Sequence, residues 1–376
     1  MFRLSHFLRE LDAPTPLQPR RDPRGPVVIW NLVRRCNLLC RHCYSGSTDK
    51  DFSGELSTSE VVSTMADLRA FGVPALILSG GEPLLRPDIF ELAVEAKRLG
   101  FPNVALSTNG TLIDDAMADR IAAAGFDYVG ISVDGIGAVH DAFRGRDGAY
   151  AEALGGIRRC AARGAKVGLR FTMTRDNAHH LADILVLLRT EGVGKFYLSH
   201  LNYAGRGNAN RGEDAESMMT RRSMDMLFAA AARLPEVEFV TGNNDADGVY
   251  FLKWVERHCP DRAAHIRAKL VQWGGNASGR NVANIDNLGW VHPDTMWWHE
   301  RLGNVRERPF SAIWADTANP LMAGLKQFPR QLSGRCGECA HLLLCNGNSR
   351  VRAEKVHGDR WAEDPGCYLT RAEVAA

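Results

Sequence analysis

No stretch of the 376 residues approaches the ~18 consecutive apolar side chains that a membrane span requires; apolar runs such as Val27–Trp30 last only a few residues. Neither sign of charge dominates: 46 Lys and Arg stand against 44 Asp and Glu, a formal net charge of +2. A dedicated nucleic-acid binder usually carries a basic stripe strong enough to move that total. The N-terminus, MFRLSHFLRELDAP, lacks the apolar core of a secretory signal because Arg3, Arg9, Glu10 and Asp12 interrupt it. Its Phe2, Leu4, Phe7, Leu8 and Leu11 instead fit one face of a short helix, expected to pack on the body of the protein. General disorder is excluded as well, since 45% hydrophobic and 24% charged residues are ordinary globular values. These absences point to a cytoplasmic protein with neither a membrane nor a nucleic-acid partner.

What the chain does have is clustered cysteine. Of nine cysteines, Cys36, Cys40 and Cys43 lie close together near the start, and Cys336, Cys339, Cys345 and Cys367 near the end. Cys160 and Cys259 stand apart, as isolated thiols. An extracellular disulfide framework is usually shorter and denser in cysteine, and an odd total would leave one thiol unpaired. The CxxxCxxC spacing lets one short loop direct three thiolates at a single centre, ligand chemistry suited to iron–sulfur clusters or zinc. Three thiolates leave tetrahedral zinc one ligand short unless His42 fills the gap. A four-iron cluster would keep one iron open to a small chelating ligand.

At ~150 residues per domain the chain has room for two or three units. A Pro- and Arg-rich arm follows the first helix, to residue 26. Strands are then expected over 27–32, 75–78, 104–107, 128–133, 166–173 and 196–198. Helices are expected from a Ser57/Glu60 capping box to Phe71, from Pro87 to Leu99, and over 114–124, 150–163, 178–190 and 218–234. Six strand–helix units predict an α/β fold with a parallel sheet wrapped by helices. The pattern alone leaves a closed eight-unit barrel and a doubly wound sheet as alternatives.

The chemistry-bearing segments follow the C-terminal ends of these strands, where barrels place their active sites. The thiolate loop follows the first strand and Ser79-Gly80-Gly81-Glu82-Pro83 the second. Two glycines permit close backbone approach to a ligand, and Glu82 can accept from an ammonium group, although an ordinary turn would use the same residues. Ser107 and Asn109 end the third strand and can bond a ribose or a carboxylate, while Asn109-Gly110 also suits a plain turn. Ser132 and Asp134 end the fourth. Arg170 sits in an otherwise apolar strand and needs an anionic partner, either a ligand carboxylate or a nearby acid.

CxxxCxxC just after a first strand resembles the signature of radical S-adenosylmethionine (SAM) enzymes, and Gly80-Gly81-Glu82-Pro83 resembles their GGEP segment. The resemblance implies a partial (β/α)6 radical SAM barrel over 27–235. In it Cys36, Cys40 and Cys43 would hold a 4Fe–4S cluster whose open iron is chelated by the methionine part of SAM. It further implies that Gly80, Gly81, Glu82 and Pro83 bind the SAM amino group and that His42 packs near the adenine. Ser107, Asn109, Ser132, Asp134 and Arg170 would meet the ribose, the carboxylate or the substrate.

After residue 234 the pattern changes. The loops 241–248 and 273–279 are polar and Gly-flanked, and can present donors to a ligand or serve as turns. The spacings of an EF-hand are missing from the first. Cys336, Cys339, Cys345 and Cys367 supply four soft ligands, enough for one closed site, with structural zinc an alternative on spacing alone. Their arrangement resembles a twitch-type auxiliary domain, a shortened SPASM domain, which implies a second 4Fe–4S cluster with no open iron, for electron transfer or support. The expected division is an arm over 1–26, the barrel, a connecting and substrate-contacting region over 236–325, and the auxiliary region over 326–376.

Segments such as Val28–Leu32, Phe239–Tyr250, His292–His299, Leu302–Arg306, Cys345–Ala353 and Asp364–Thr370 resemble the NirJ family of haem d1 biosynthesis, and the resemblance spans nearly the whole chain. It implies an iron tetrapyrrole substrate, 12,18-didecarboxysiroheme, altered at its C3 and C8 propionates by removal or by spirolactone formation. It also implies a low-potential donor such as flavodoxin or ferredoxin. Candidate carboxylate ligands are Arg206, Arg211, Arg280, Arg306, Arg350 and Arg352. Trp290, Trp297, Trp298 and Tyr203 are candidates to pack on the macrocycle, and His200, His292 and His299 to approach its iron. Oxidative decarboxylation of iron-coproporphyrin, peptide modification, and a non-enzymatic iron–sulfur or zinc protein are the rival readings.

Overall fold

The computed structural model describes residues 1–17 and 25–375. Ten strands form one sheet: β1 (Val27–Asn31), β2 (Leu76–Ser79), β3 (Val104–Thr108), β4 (Tyr128–Ser132), β5 (Val167–Met173), β6 (Lys195–His200), β7 (Glu238–Gly242), β8 (Val282–Ile285), β9 (Trp290–His292) and β10 (Gly303–Asn304). Their order is β10-β9-β8-β1-β2-β3-β4-β5-β6-β7. Neighbours from β8 through β1 to β7 are parallel, and β8-β9-β10 form an antiparallel meander.

The six expected strands are present with small shifts at their ends, but the parallel run does not stop with them. β7 extends it beyond β6, and β8 joins β1 on the other side, so the sheet continues past residue 235. Neither added strand follows the strand–helix rhythm. Val282–Ile285 is four residues long and comes after two consecutive helices, Ala246–His258 and Pro260–Trp273. The first of these begins inside the segment read as a polar loop, and a further helix, Ala138–Arg144, lies in the β4–β5 connection.

Local chemistry accounts for the ends of the expected helices. Ser57 and Glu60 form the capping box of Thr58–Ala70, with the Ser57 N–H 2.7 Å from the Glu60 carboxylate. Asp114 caps Asp115–Ala124 and Gly125, in left-handed conformation, ends it. The helix expected from Pro87 starts instead at Ile89, because Asp88 is held outside it by Arg86 and Thr58.

Alternation along the strands gives the sheet two different faces. Val28, Trp30, Leu76, Leu78, Val104 and Leu106 lie on one, and Val129, Ile131, Leu169, Phe171, Phe196 and Leu198 continue it, all wholly buried. They pack on helix residues such as Val61, Met65, Leu92, Ile157, Ile184 and Leu227. The opposite face carries Asn31, Ser79, Ser107, Ser132, Arg170, Thr172 and Ser199, several of them partly exposed. Parallel strands usually bury apolar side chains on both faces; here one is left polar.

The N-terminal helix, Leu4–Asp12, packs as its apolar stripe predicts. Phe2 bridges to Thr241 at the β7 edge, and Phe2 and Phe7 are buried against Phe251 and Trp273. Glu10 accepts from His265 at 2.8 Å and from Thr15, with Lys269 3.3 Å away. The expected arm lies partly outside the described residues. No helix among the described residues is long and apolar enough to cross a membrane.

Burial pushes the Glu10 carboxyl up, but its bonds from Thr15, His265 and Lys269 outweigh that and bring it down to about 2. Its contribution to stability is therefore complete above the ordinary carboxylate range and disappears as the pH falls towards 2. Glu10→Gln is expected to lower unfolding free energy at pH 7 by up to about 3 kcal/mol and to flatten the acid limb of the stability–pH curve, as measured by urea titration.

Candidate functional site

The thiol loop is fixed from three directions. Beneath it, Gly80 and Gly81 run against the backbone of residues 33–35: the Gly81 N–H donates to the Val33 carbonyl at 2.6 Å and the Glu82 N–H to that of Arg35 at 2.9 Å. A Cβ on Gly80 would stand 2.5 Å from the Val33 oxygen, and one on Gly81 2.4 Å from that of Arg35. The glycine pair is thus required by the approach of the chain itself. From the β6 side, Arg206 donates to the carbonyls of Cys40 (2.7 Å) and Ser47 (2.9 Å). From the β4–β5 connection, the carbonyls of Phe143 and Arg144 accept from Arg41 and Leu39.

Cys36, Cys40 and Leu38 are buried together, with Cys43 packed against them. Burial, and next the neighbouring Cys40, push the Cys36 thiol up to about 12, and burial raises Cys40 as well. Raised in this way, Cys36 and Cys40 are neutral thiols by themselves, and a bound cation would be needed to convert them to thiolates. Zinc–sulfur bonds of ~2.3 Å place tetrahedral sulfurs ~3.8 Å apart. Among the described residues only His299, Glu300 and Glu354 bring three ligand atoms within 4.8 Å of one another, so the sulfurs of Cys36, Cys40 and Cys43 are not drawn together to that spacing. Arg360 already bonds both Glu300 and Glu354 in that other group, which is therefore an ion-pair cluster.

Glu82 is completely buried, and its carboxylate ties β2 to β3. It accepts from Thr108 Oγ1 (2.7 Å), Leu84 N–H (3.0 Å) and Asn109 N–H (2.8 Å). Burial nevertheless pushes it up to about 6. Pro83 opens the short turn that supplies the Leu84 donor. The Asn109 side chain closes its own turn through Thr111 and donates to Asn37 at 2.9 Å. The His42 ring stacks on Phe143, centroids 4.6 Å apart, and burial holds it well below its ordinary pKa.

Two of the expected ligand contacts are arranged very differently from each other. Asp134 is fully buried. Its carboxylate pairs with Arg144 and accepts from the Thr172 N–H at 2.6 Å. Arg144 also lies 3.6 Å from Cys40 Sγ; although burial pulls the other way, Asp134 and Cys40 hold the guanidinium charged. Sequence reasoning missed Arg144, whose short helix carries no strong periodic signal. Arg170 does lie on the polar face. It passes over Gly130, where a Cβ would be 2.6 Å from its Nε, and donates to Ser107. Ser132 stands opposite it in register. No carboxylate is within ion-pair distance of Arg170 among the described residues.

Cys336, Cys339, Cys345 and Cys367 line one small cavity with Leu342, Leu369 and Val374. Burial raises Cys345 strongly and Cys367 to about 11. Arg335 donates to Cys367 Sγ at 3.1 Å and the His341 N–H to Cys339 Sγ at 3.4 Å. The polar loops 241–248 and 273–279 dock this region onto the sheet. The Asp245 N–H donates to Asn348 at 2.6 Å, and the Asn276 N–H to the Cys345 carbonyl at 3.0 Å. Cys160 is buried in the main core and Cys259 joins two helices; both stand apart, as the sequence suggests.

Most residues proposed to meet a substrate are committed elsewhere. Arg206 holds the thiol loop, Arg306 pairs with Glu60, and Arg352 pairs with Asp364. Arg350 donates to backbone carbonyls including that of Arg360, and Arg211 to that of Lys355. Arg280 lies over the Phe328 ring. His200 bonds Asp247, His292 bonds Asp286 and the Glu300 carbonyl, and His299 bonds Glu354. Trp297 is wholly buried, Trp290 is covered by Arg301, and Tyr203 bonds Asp214; Trp298 is only partly buried.

Residues 30–188 match the Radical SAM superfamily. Over 100% of this chain and 94% of the relative, the sequence is 57% identical to a pre-heme d1 synthase of Dinoroseobacter shibae. It is 44% identical to an Fe-coproporphyrin III synthase of Methanosarcina barkeri, over 95% of this chain and 91% of that protein. The fold resembles that of Streptococcus suis SuiB bound to precursor peptide SuiA, with a TM-score of 0.74, 14% identity, and coverage of 97% of this chain and 79% of that one.

Gly81→Ala is expected to displace residues 33–35 and with them Cys36, and to lower the iron bound after anaerobic reconstitution. Arg144→Met strands the buried Asp134 charge and is expected to cost about 3–5 kcal/mol in chemical unfolding.

Proposed function

The chain belongs to the radical SAM superfamily, and from that premise we propose that it acts on the C3 and C8 propionates of 12,18-didecarboxysiroheme in haem d1 biosynthesis. The observation that carries this reading is the full-length likeness to a pre-heme d1 synthase, which includes the C-terminal half where four cysteines converge. In this reading the sheet is a partial (β/α)6 barrel with a twitch/SPASM-like C-terminal region, divided near residues 26, 235 and 325. The enzyme works in the cytoplasm with a flavodoxin- or ferredoxin-type donor.

Cys36, Cys40 and Cys43 hold a 4Fe–4S cluster that leaves one iron for SAM. When bound, the two together supply a 5′-deoxyadenosyl radical that removes a hydrogen from the substrate. Gly80, Gly81 and Pro83 shape the backbone facing the SAM amino group. Three of the lone-pair positions on the Glu82 carboxylate are taken by the chain, which leaves Oε2 room for one more donor. Arg170, held over Gly130 and oriented by Ser107, meets the SAM carboxylate, and Ser132 lies beside it. Asn109, Asp134 and His42 act from behind, by fixing the turn after β3, the Arg144 guanidinium and the packing of the thiol loop.

Cys336, Cys339, Cys345 and Cys367, which line one cavity, would hold a second 4Fe–4S cluster, and such a cluster would supply an electron acceptor for oxidation of a substrate side chain. Closure of each propionate to a spirolactone is the favoured outcome over its removal, and leaves oxo formation to later enzymes. A second reading, side-chain removal leading to Fe-coproporphyrin III, is favoured by the 44% likeness to a synthase of that compound.

Product mass after incubation with 12,18-didecarboxysiroheme, SAM and a low-potential reductant tests the proposal. Loss of two hydrogens per reacted propionate, or of the propionate itself, with 5′-deoxyadenosine formed, is expected. Loss of acetate groups would establish the second reading, and unchanged substrate would overturn both. Cys36→Ala should abolish 5′-deoxyadenosine formation.

A further inference from the structure

Among the arginines near the thiol loop, Arg34 is unlike the others. Its guanidinium carbon lies 5.0 Å from the centre of the Phe52 ring and 5.7 Å from that of Trp298. Arg144 and Arg206 are bonded to an acid or to carbonyls, whereas Arg34 has no carboxylate within ion-pair distance among the described residues. Glu55 binds the Arg34 backbone N–H at 2.8 Å and the Asn287 amide at 3.0 Å, and not the guanidinium. The Nε of Arg34 is buried without an acceptor, and so is the indole Nε1 of Trp298. Buried donors left unpaired are costly, and two of them on residues in contact call for an acceptor that the chain does not supply.

The pair is held firmly. Trp298 lies parallel to His292, with ring centres 6.0 Å apart and planes 4° from parallel, and His292 is fixed by the Glu300 carbonyl at 2.7 Å. Its other neighbour is Tyr44, whose hydroxyl accepts from Asn31 at 2.9 Å. A guanidinium flanked by aromatic rings keeps its charge and its fork of donors while losing little freedom on binding. The chemistry that satisfies both donors is a carboxylate attached to a flat, conjugated body. Cys36 is only two residues on, so the Cα atoms of Arg34 and the first cysteine of the loop are at most about 7 Å apart.

We propose that Arg34, with the Trp298 indole N–H as second donor, anchors one ring carboxylate of the tetrapyrrole and sets its orientation beside the thiol loop. This rests on the tetrapyrrole reading above. It replaces the six arginines suggested by sequence with one that none of the sequence motifs singles out.

The test is an anaerobic absorbance titration of the iron-reconstituted protein with 12,18-didecarboxysiroheme and, separately, with its fully methyl-esterified form. Arg34→Met is expected to weaken binding of the acid about 10–100-fold, the effect of losing one charge-assisted contact, and to leave binding of the ester unchanged. Arg34→Lys should recover part of the loss. Trp298→Phe removes the N–H but keeps a ring, and should weaken the acid severalfold with the ester little affected; it carries the test if Arg34→Met fails to fold by circular dichroism. Acid binding as tight in Arg34→Met as in the wild type, or in Trp298→Phe when that variant carries the test, overturns the anchor while leaving the tetrapyrrole reading intact. A wild-type protein that binds neither form overturns that reading, and the anchor with it.

Discussion

The approach of two backbones is the constraint on which the site depends. Residues 80 and 81 lie so close to the carbonyls of Val33 and Arg35 that neither can carry a Cβ. That contact docks the end of β2 beneath the segment that delivers Cys36. Glu82 then ties the same turn to the end of β3, and the thiol loop above is clasped by Arg206 and by the Phe143–Arg144 carbonyls. A loop bearing three thiols and little regular structure is fixed by the ends of four strands. Precision of this kind is what a site that must orient a small ligand requires.

The sheet supplies the second half of the design. A continuous apolar face packs on the helices and provides the burial that stabilises the fold, so the opposite face is free to be polar. Arg170 uses that freedom: its guanidinium crosses β4 only because residue 130 is glycine. The C-terminal region is joined to the same sheet through polar contacts, with Asn244, Asp245 and Asn276 meeting Asn348 and the Cys345 backbone. Arg330, Arg350 and Arg352 are buried there, each bonded to carbonyls or to an acid, which offsets the desolvation that would otherwise exclude them.

The parts of this arrangement legible in the sequence are the local ones. Six strands and the capping of their helices follow from short-range pattern, and the two cysteine sets from spacing. β7 and β8 were hidden because their pairing is with strands distant in sequence, and a run as short as Val282–Ile285 has no period of its own. An acid at a strand end such as Asp134 is ambiguous in the sequence. Its partner, Arg144, sits on a connection whose fold-back no local rule encodes. Arginines 206, 306, 350 and 352 read as available cations for the same reason, since the carbonyls and acids that occupy them come from other segments. Among the arginines near the thiol loop, Arg34 differs in that neither an acid nor a carbonyl bonds its guanidinium among the described residues, and that is visible only in three dimensions.

The central claim is that the three thiols of the first loop hold an iron–sulfur cluster with one iron left for SAM. Electron paramagnetic resonance of the dithionite-reduced protein tests it most directly, in a variant with Cys336, Cys339, Cys345 and Cys367 replaced by Ala so that only the first loop can hold a cluster. The account predicts the signal of a reduced 4Fe–4S cluster whose g values shift when SAM is added. A signal indifferent to SAM, or a loop loaded with zinc and no signal, would contradict it.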